Sequence, residues 1–300
     1  MKRNFSENPF LLSLTFFLVS IFFLSVAASV SAHGEKKPMK KGILLVAFGT
    51  SVPEAQKVFV NIEKSVKAAY PGIPIRWAYT SSIIRKKLAK EGQHLDSPEV
   101  ALAKMMEEEF THVAVQSLHT IAGEEFHDLR RSAHAFADMA GGFQRILVGY
   151  PLLGTEEDLN RVVDAIMKNI PKERKEEEAL VLMGHGTPHP SNAFYAAMMF
   201  HFQQKDPNIF IGTVEGSPGI DDIMAMLVKK KIKKAYLLPF LSVAGDHAIN
   251  DMAGNEEDSW KSILTKAGIH CVPVLKGTAE YKEIVDIWVD HIAGPLGHFK

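Results

Sequence analysis

The sequence predicts an α/β protein built as two similar halves, each a four-stranded parallel sheet flanked by helices. Three observations predict it. Apolar runs of strand length alternate with amphipathic stretches of helical period from residue 42 to residue 292. The apolar runs are continuous rather than alternating, which belongs to parallel strands covered on both faces. The pattern also halts at a charged connector, Pro171 to Glu178, and then restarts. The boundaries that follow are a first domain over 40–170 and a second over 178–300, with the connector exposed and solvated.

In the first half, strands are expected at 42–48, 73–79, 112–118 and 145–150, and helices at 53–70, 82–91, 98–110, 124–140 and 156–169. In the second half, strands are expected at 179–183, 209–214, 234–241 and 269–274. Helices there are expected at 192–204, at 219–230, somewhere within 248–267, and at 279–292. The apolar face of Phe194, Met198, Met199 and Phe202 reads as core.

The restart is an internal repeat. The stretch Leu45 to Pro53 resembles Val181 to Pro190, which sets Phe48 opposite His185. The stretch His112 to Glu125 resembles Ala235 to His247, which sets Glu125 opposite His247. Arg76 to Ser81 parallels Ile211 to Gly216, with Thr80 near Glu215. Two such halves facing each other would leave a cleft, a favoured place for a ligand.

Chemistry gathers at the ends of strands in the second half. Gly184-His185-Gly186-Thr187-Pro188 ends the first apolar run abruptly, so His185 is presented at the carboxyl end of a buried strand, where open α/β sheets bind ligands. Glu215 follows the second strand and His247 the third. Neighbouring parallel strands lie about 4.8 Å apart, so these ends converge on one patch. Two imidazoles and a carboxylate suit a borderline divalent ion such as Co²⁺, Fe²⁺ or Zn²⁺, and three protein ligands leave positions open for exchange. A histidine or glutamate in such a turn, taken alone, reads as a capping or solvated residue; the three together at equivalent strand ends point to a metal site.

Composition narrows the classes. A net charge of −1 gives no electrostatic footprint for nucleic acid or anionic lipid. A single cysteine, Cys271, excludes a disulfide framework and a cysteine-based zinc site. There is no G-x-G-x-x-G fingerprint and no P-loop, which argues against a nucleotide-driven reaction. Residues 1–32 read as a secretory signal peptide: Lys2 and Arg3, an apolar stretch from 10 to 28, and Val30-Ser31-Ala32 before His33. The expectation is an exported, periplasmic protein with no stable membrane span once the signal is cleaved.

At this point the motifs match a known group. Phe48-Gly49-Thr50-Ser51, Met183 to Thr187, Val214 to Pro218 and Val243 to Asp251 resemble the class II tetrapyrrole chelatases, closest to the anaerobic sirohydrochlorin cobaltochelatases. The resemblance spans roughly residues 40–291. It implies two similar Rossmann-like domains with a tetrapyrrole cleft between them, and ATP-independent insertion of Co²⁺, and often Fe²⁺, into sirohydrochlorin. The family's paired histidines and glutamate fall on His185, His247 and Glu215. Gly49, Thr50 and Ser51 would form the facing lip, where backbone N–H groups can hold substrate carboxylates; as a plain tight turn before a helix they are equally well accounted for. The partner is then a small tetrapyrrole, with further copies of the chain as the one candidate protein partner.

Export sets the sequence apart from chelatases that work in the cytoplasm, and it raises a second class of function: a carrier of haem or metal on a chelatase scaffold. Its candidate ligand is His127, early in a helix within Glu125-Phe126-His127-Asp128, where a solvent-facing imidazole could be axial to haem iron. Of the other histidines, His119 is expected to face the cleft, His189 to lie beside the site or at the surface, and His33, His291 and His298 to be exposed.

Overall fold

The computed structural model describes residues 37–299, so the signal segment and His33 lie outside the described residues. Two four-stranded parallel sheets are present, with the same strand order. The first is β2-β1-β3-β4, from β1 (Lys41–Ala47), β2 (Ile75–Tyr79), β3 (His112–Ser117) and β4 (Arg145–Gly149). The second is β6-β5-β7-β8, from β5 (Ala179–Gly184), β6 (Ile209–Thr213), β7 (Lys234–Pro239) and β8 (His270–Pro273). In each, the strand that opens the half is central, and all pairings are parallel. The central strands are buried, β5 throughout and β1 from Gly42 onward, as continuous apolar runs require.

The helices of the first half are α1 (Pro53–Ala69), α2 (Ser82–Lys90), α3 (Pro98–Glu107), α4 (Glu124–Asp138) and α5 (Glu156–Asn169). Their starts are chemically marked. Ser81 caps α2, Ser97 caps α3 ahead of Pro98, and Thr155 with Asp158 forms a reciprocal capping box on α5. The second half contributes α6 (Ala193–Gln203), α7 (Ile220–Lys229), α8 (Trp260–Lys266) and α9 (Lys282–Gly297). Met198 and Phe202 of α6 are fully buried, and Phe194 and Met199 pack against the same core.

The helix expected somewhere within 248–267 is the short α8, and a π-helical turn, His247–Met252, precedes it. Two expectations need correcting. The charged connector is not wholly solvated, because the Arg174 side chain is 3 % exposed and pairs with Asp206 at 2.7 Å. His291 is not exposed either. It lies on α9, 10 % exposed, and bridges Asp158 Oδ2 (3.0 Å) and the Tyr150 carbonyl (3.1 Å).

Helix α9 explains that burial. It ends the second half in sequence but packs on β3, β4, α5 and α1. Tyr70 donates from its hydroxyl to the Val289 carbonyl at 2.8 Å, and Arg161 pairs with Asp290 at 2.6 Å. Its inner face (Ile284, Ile287, Trp288 and Ile292) joins an apolar core that also takes in Ile43, Leu45, Leu180 and Leu182 from the two central strands. Trp288 is 1 % exposed. Trp288→Ala should lower stability by about 3–5 kcal/mol, the range for truncating a buried large aromatic, measured as a drop in the denaturant midpoint.

Candidate active site

The site is built at the carboxyl end of β5, where the chain must leave the sheet. Gly184 pairs with Thr213 of β6, and Met183 with Pro239 of β7. Beyond them the backbone continues the ladder for two more bonds, Val214 N–H to the Gly184 carbonyl (3.0 Å) and Glu215 N–H to the His185 carbonyl (2.7 Å). His185 and Glu215 are therefore fixed side by side through their main chains.

Two glycines make this possible. A Cβ at Gly184 would collide with the ring of Tyr195, which is buried beneath the turn. Gly186 has φ +85°, and a Cβ there would overlap the Glu215 carbonyl. Burial pushes the Tyr195 hydroxyl up to about 12, although the backbone N–H groups of Gly186 and His185 aimed at its oxygen act to lower it. Tyr195 supports the turn from behind, a role the sequence did not reveal.

The three expected residues are brought together. The rings of His185 and His247 stand 4.8 Å apart and perpendicular at 88°. His185 Nδ1 is 3.9 Å from Glu215 Oε2, and the Glu215 side chain is 60 % exposed. Phe48 of the first half approaches the His185 ring at 5.8 Å, so His185 lies where the two halves meet. Among the described residues, no three His, Cys, Asp or Glu side chains are closed around one point as a metal would need. The approaches are pairwise: His247 meets the His185 ring, and Glu215 stands on the Nδ1 side of His185.

The wiring of the imidazoles fixes which nitrogen is available. His185 Nδ1 lies 3.1 Å from the Gly186 carbonyl, and His247 Nδ1 is hydrogen-bonded to Asp251 Oδ2. A carbonyl and an ionised carboxylate only accept, so each Nδ1 carries the proton and each neutral ring keeps its lone pair on Nε2. His189 is wired the opposite way. Its Nδ1 accepts the Ser191 N–H at 3.2 Å, which places its proton on Nε2.

The first half mirrors this geometry with different chemistry. Thr80 N–H bonds the Ala47 carbonyl (2.9 Å) and Ser81 N–H the Phe48 carbonyl (3.2 Å), so Ser81, one residue beyond the predicted Thr80, is the backbone counterpart of Glu215. Leu118 N–H to Val46 and Phe240 N–H to Met183 are also equivalent, which keeps Glu125 opposite His247. Glu125 accepts from Thr80 Oγ1 and lies 3.4 Å from His119 Nε2. Burial pushes the Glu125 carboxyl up, but hydrogen bonds from His119 and Thr80, with the charges of His119 and His185, outweigh it and hold the group below the ordinary carboxylate value. An anionic side chain thus stands within electrostatic reach of His185 from the other half.

Of the predicted lip, Gly49 has φ +101°, repeating the turn at Gly186. Thr50 is buried; its hydroxyl accepts from Val52 N–H (3.1 Å), and its carbonyl from Gln56 Nε2 (3.0 Å). Gly245 comes so close that a Cβ there would sit 3.1 Å from Thr50 Oγ1. Thr50 is therefore pinched between the halves, leaving Ser51 the more open of the three. His127 faces a groove of about 620 Å³ between α4 and the loop after β5, with Arg130, Arg131, His134 and His189 in its walls. None of His185, Glu215 and His247 lines that groove, and the His127 and His189 rings are 4.9 Å apart.

A histidine pair and a glutamate at three successive strand ends, facing a second half of the same topology, is an arrangement that can be compared with known proteins. The family model described as cobalt chelatase (CbiK) matches residues 41–296. The chain belongs to this family. A sirohydrochlorin cobaltochelatase, CbiKC, from Nitratidesulfovibrio vulgaris is 45 % identical over 257 residues, 86 % of this chain and 91 % of that protein. The sirohydrochlorin cobaltochelatase of Salmonella typhimurium is 35 % identical over 256 residues, 85 % of this chain and 96 % of that one. Among solved structures, SirB from Bacillus subtilis with Fe³⁺ superposes with a TM-score of 0.57 at 19 % identity, covering 87 % of this chain and 99 % of that one. CbiX, described as the terminal enzyme of sirohaem biosynthesis in denitrifying bacteria, superposes with a TM-score of 0.54 at 17 % identity, covering 84 % of this chain and 98 % of that one. At those identities the two structures speak for the shared fold.

The glycine constraint is directly testable. Gly186→Ala should destabilise the protein by about 1–2 kcal/mol from the left-handed backbone alone, and more from the clash with Glu215. Thermal unfolding should show the loss, while Gly72→Ala, also at positive φ but with no atom within 4 Å of its Cβ, isolates the strain from the clash.

Proposed function

We propose that the protein inserts Co²⁺, and with lower selectivity Fe²⁺, into sirohydrochlorin without a nucleotide. The observation that carries the reading is the meeting of His185, Glu215 and His247 at adjoining strand ends, with both Nε2 lone pairs uncommitted. An N,N,O set of borderline softness accepts either metal, so the donors themselves do not discriminate strongly between them.

The chemistry follows from the balance of the reaction. The substrate metal arrives hydrated and exchanges water for the two imidazoles and the carboxylate. The tetrapyrrole must lose two pyrrole N–H protons as the metal enters. Each imidazole released by the departing metal regains a basic nitrogen beside the ring, and Glu125 supplies a fixed negative charge on the far side, so acceptors are at hand as the protons leave. Backbone N–H groups near Gly49, Thr50 and Ser51 would hold the substrate's carboxylates, with Ser51 the most accessible. The signal-like residues 1–32 support the reading that this reaction takes place in the periplasm.

A second reading, carriage of haem, draws on His127. Its imidazole opens onto a groove whose walls carry Arg130 and Arg131, a donor for iron beside cations for propionates. Glu124 and Asp128 also line the groove, Asp128 pairs with Arg131, and no apolar side chain is among the lining residues to cover a macrocycle face, so the reading rests on His127 and Arg130 alone.

One experiment separates the two. The chain recovered from the periplasmic fraction is incubated anaerobically with sirohydrochlorin and Co²⁺, and insertion is followed by absorbance. Insertion should be fast in the wild type and fall by about 100-fold or more in His185→Ala and in His247→Ala, the scale of losing a positioned acid–base or ligand group. No acceleration over the uncatalysed rate, with tetrapyrrole binding intact, would make the protein a carrier. In a parallel haem titration, the carrier reading predicts a Soret band that His127→Ala loses; a protein left colourless removes it.

A further inference from the structure

The two imidazoles of the site are held by different acceptors. Behind His185 stands a neutral backbone carbonyl, that of Gly186, at 3.1 Å. Behind His247 stands a carboxylate, Asp251, four residues on and in direct hydrogen bond with Nδ1. The π-helical turn His247–Met252 makes this possible by bringing Asp251 back over His247 within one turn, while Ala248 and Met252 anchor the same turn in the core. The next carboxylate along, Asp246, is engaged elsewhere: it accepts from Asn250 Nδ2 at 3.1 Å.

A carboxylate behind an imidazole does two things that a carbonyl does less well. It locks the tautomer with Nε2 unprotonated, and it pushes electron density toward Nε2, which makes the ring a stronger metal donor. On the Nδ1 side of His185 the direct partner is the Gly186 carbonyl at 3.1 Å, and the Glu215 carboxylate stands off at 3.9 Å, beyond hydrogen-bond distance. The two histidines are thus unequal ligands.

We propose that Asp251 is a positioning residue for metal delivery: it makes His247 the anchoring ligand and leaves His185 the ligand that lets go first as the metal passes to the tetrapyrrole. The proposal rests on the reading of His185, Glu215 and His247 as the metal-holding set. It gives the reaction an order. The metal stays attached to the π-helical turn through His247 while the bond to His185, beside Phe48 at the junction of the halves, opens to admit a pyrrole nitrogen.

The test is a Co²⁺ titration of the folded protein without tetrapyrrole, followed by visible ligand-field absorption, together with steady-state insertion. Asp251→Asn keeps an acceptor oxygen for Nδ1–H but removes the charge. It should weaken Co²⁺ binding about 10- to 100-fold, the usual cost of losing such a partner, and raise KM for Co²⁺ while KM for sirohydrochlorin stays within twofold. Asp251→Ala should weaken Co²⁺ binding further, and Asp251→Glu should recover part of it. Asp246→Asn, which removes a neighbouring charge without touching the ring, should leave Co²⁺ affinity within twofold. Unchanged Co²⁺ affinity in both Asp251→Asn and Asp251→Ala overturns the proposal. So does an equal loss in Asp246→Asn, which would make the effect one of general charge, and so does a joint rise of both KM values with a lowered unfolding midpoint, which would make it one of folding. His247→Ala keeps this separate from the underlying reading: if it binds Co²⁺ as tightly as the wild type, His247 is not a ligand and the metal-site reading itself fails.

Discussion

The contact on which the site depends is between two main chains. Gly186, in the left-handed region, lies against the Glu215 backbone, and the Glu215 N–H reaches the His185 carbonyl at 2.7 Å. That pairing prolongs the parallel ladder past the ends of β5 and β6, so the separation of imidazole and carboxylate is set by backbone geometry before any side chain turns. Tyr195 fills the space under Gly184 and prevents the turn from sinking into the sheet. The division is between a backbone held by hydrogen bonds and a Glu215 side chain that is 60 % exposed.

The two halves show how one scaffold carries unequal chemistry. Their strand orders match, their ladders extend by equivalent bonds, and their turns share a left-handed glycine. Yet Phe48 replaces a histidine, Ser81 replaces a glutamate as a helix cap, and Glu125 replaces His247. The first half presents a hydrogen-bonded carboxylate cluster and the second presents lone pairs. Facing each other, they set a pair of imidazoles against an anionic side chain.

The sheets were legible in the sequence because continuous apolar runs such as Ile43 to Ala47 and Leu180 to Met183 have few other uses. The proximity of His185, Glu215 and His247 was legible because each follows a strand and is flanked by small residues. What escaped was long-range or locally irregular. No periodicity marks a π-turn, so His247–Met252 was not expected ahead of the helix sought within 248–267, although Asp251 at four residues from His247 was in plain view. His291 read as a terminal, exposed histidine because nothing local ties it to Asp158, 133 positions away. Arg174 read as solvated because a run of charges masks the one side chain that turns inward toward Asp206. The one-residue offset between Thr80 and Ser81 needed the hydrogen-bond register, which sequence similarity between the halves is too weak to supply.

Helix α9 closes the chain, yet it covers β3 and β4 and joins α5 and α1. Without it, Trp288 and its neighbours are missing from the core, and the first sheet has an open face. The first half is therefore completed by a segment that follows the second half in sequence. The two halves are tied into one apolar core, so loosening helix α9 exposes the first sheet as well as the second half from which the helix comes.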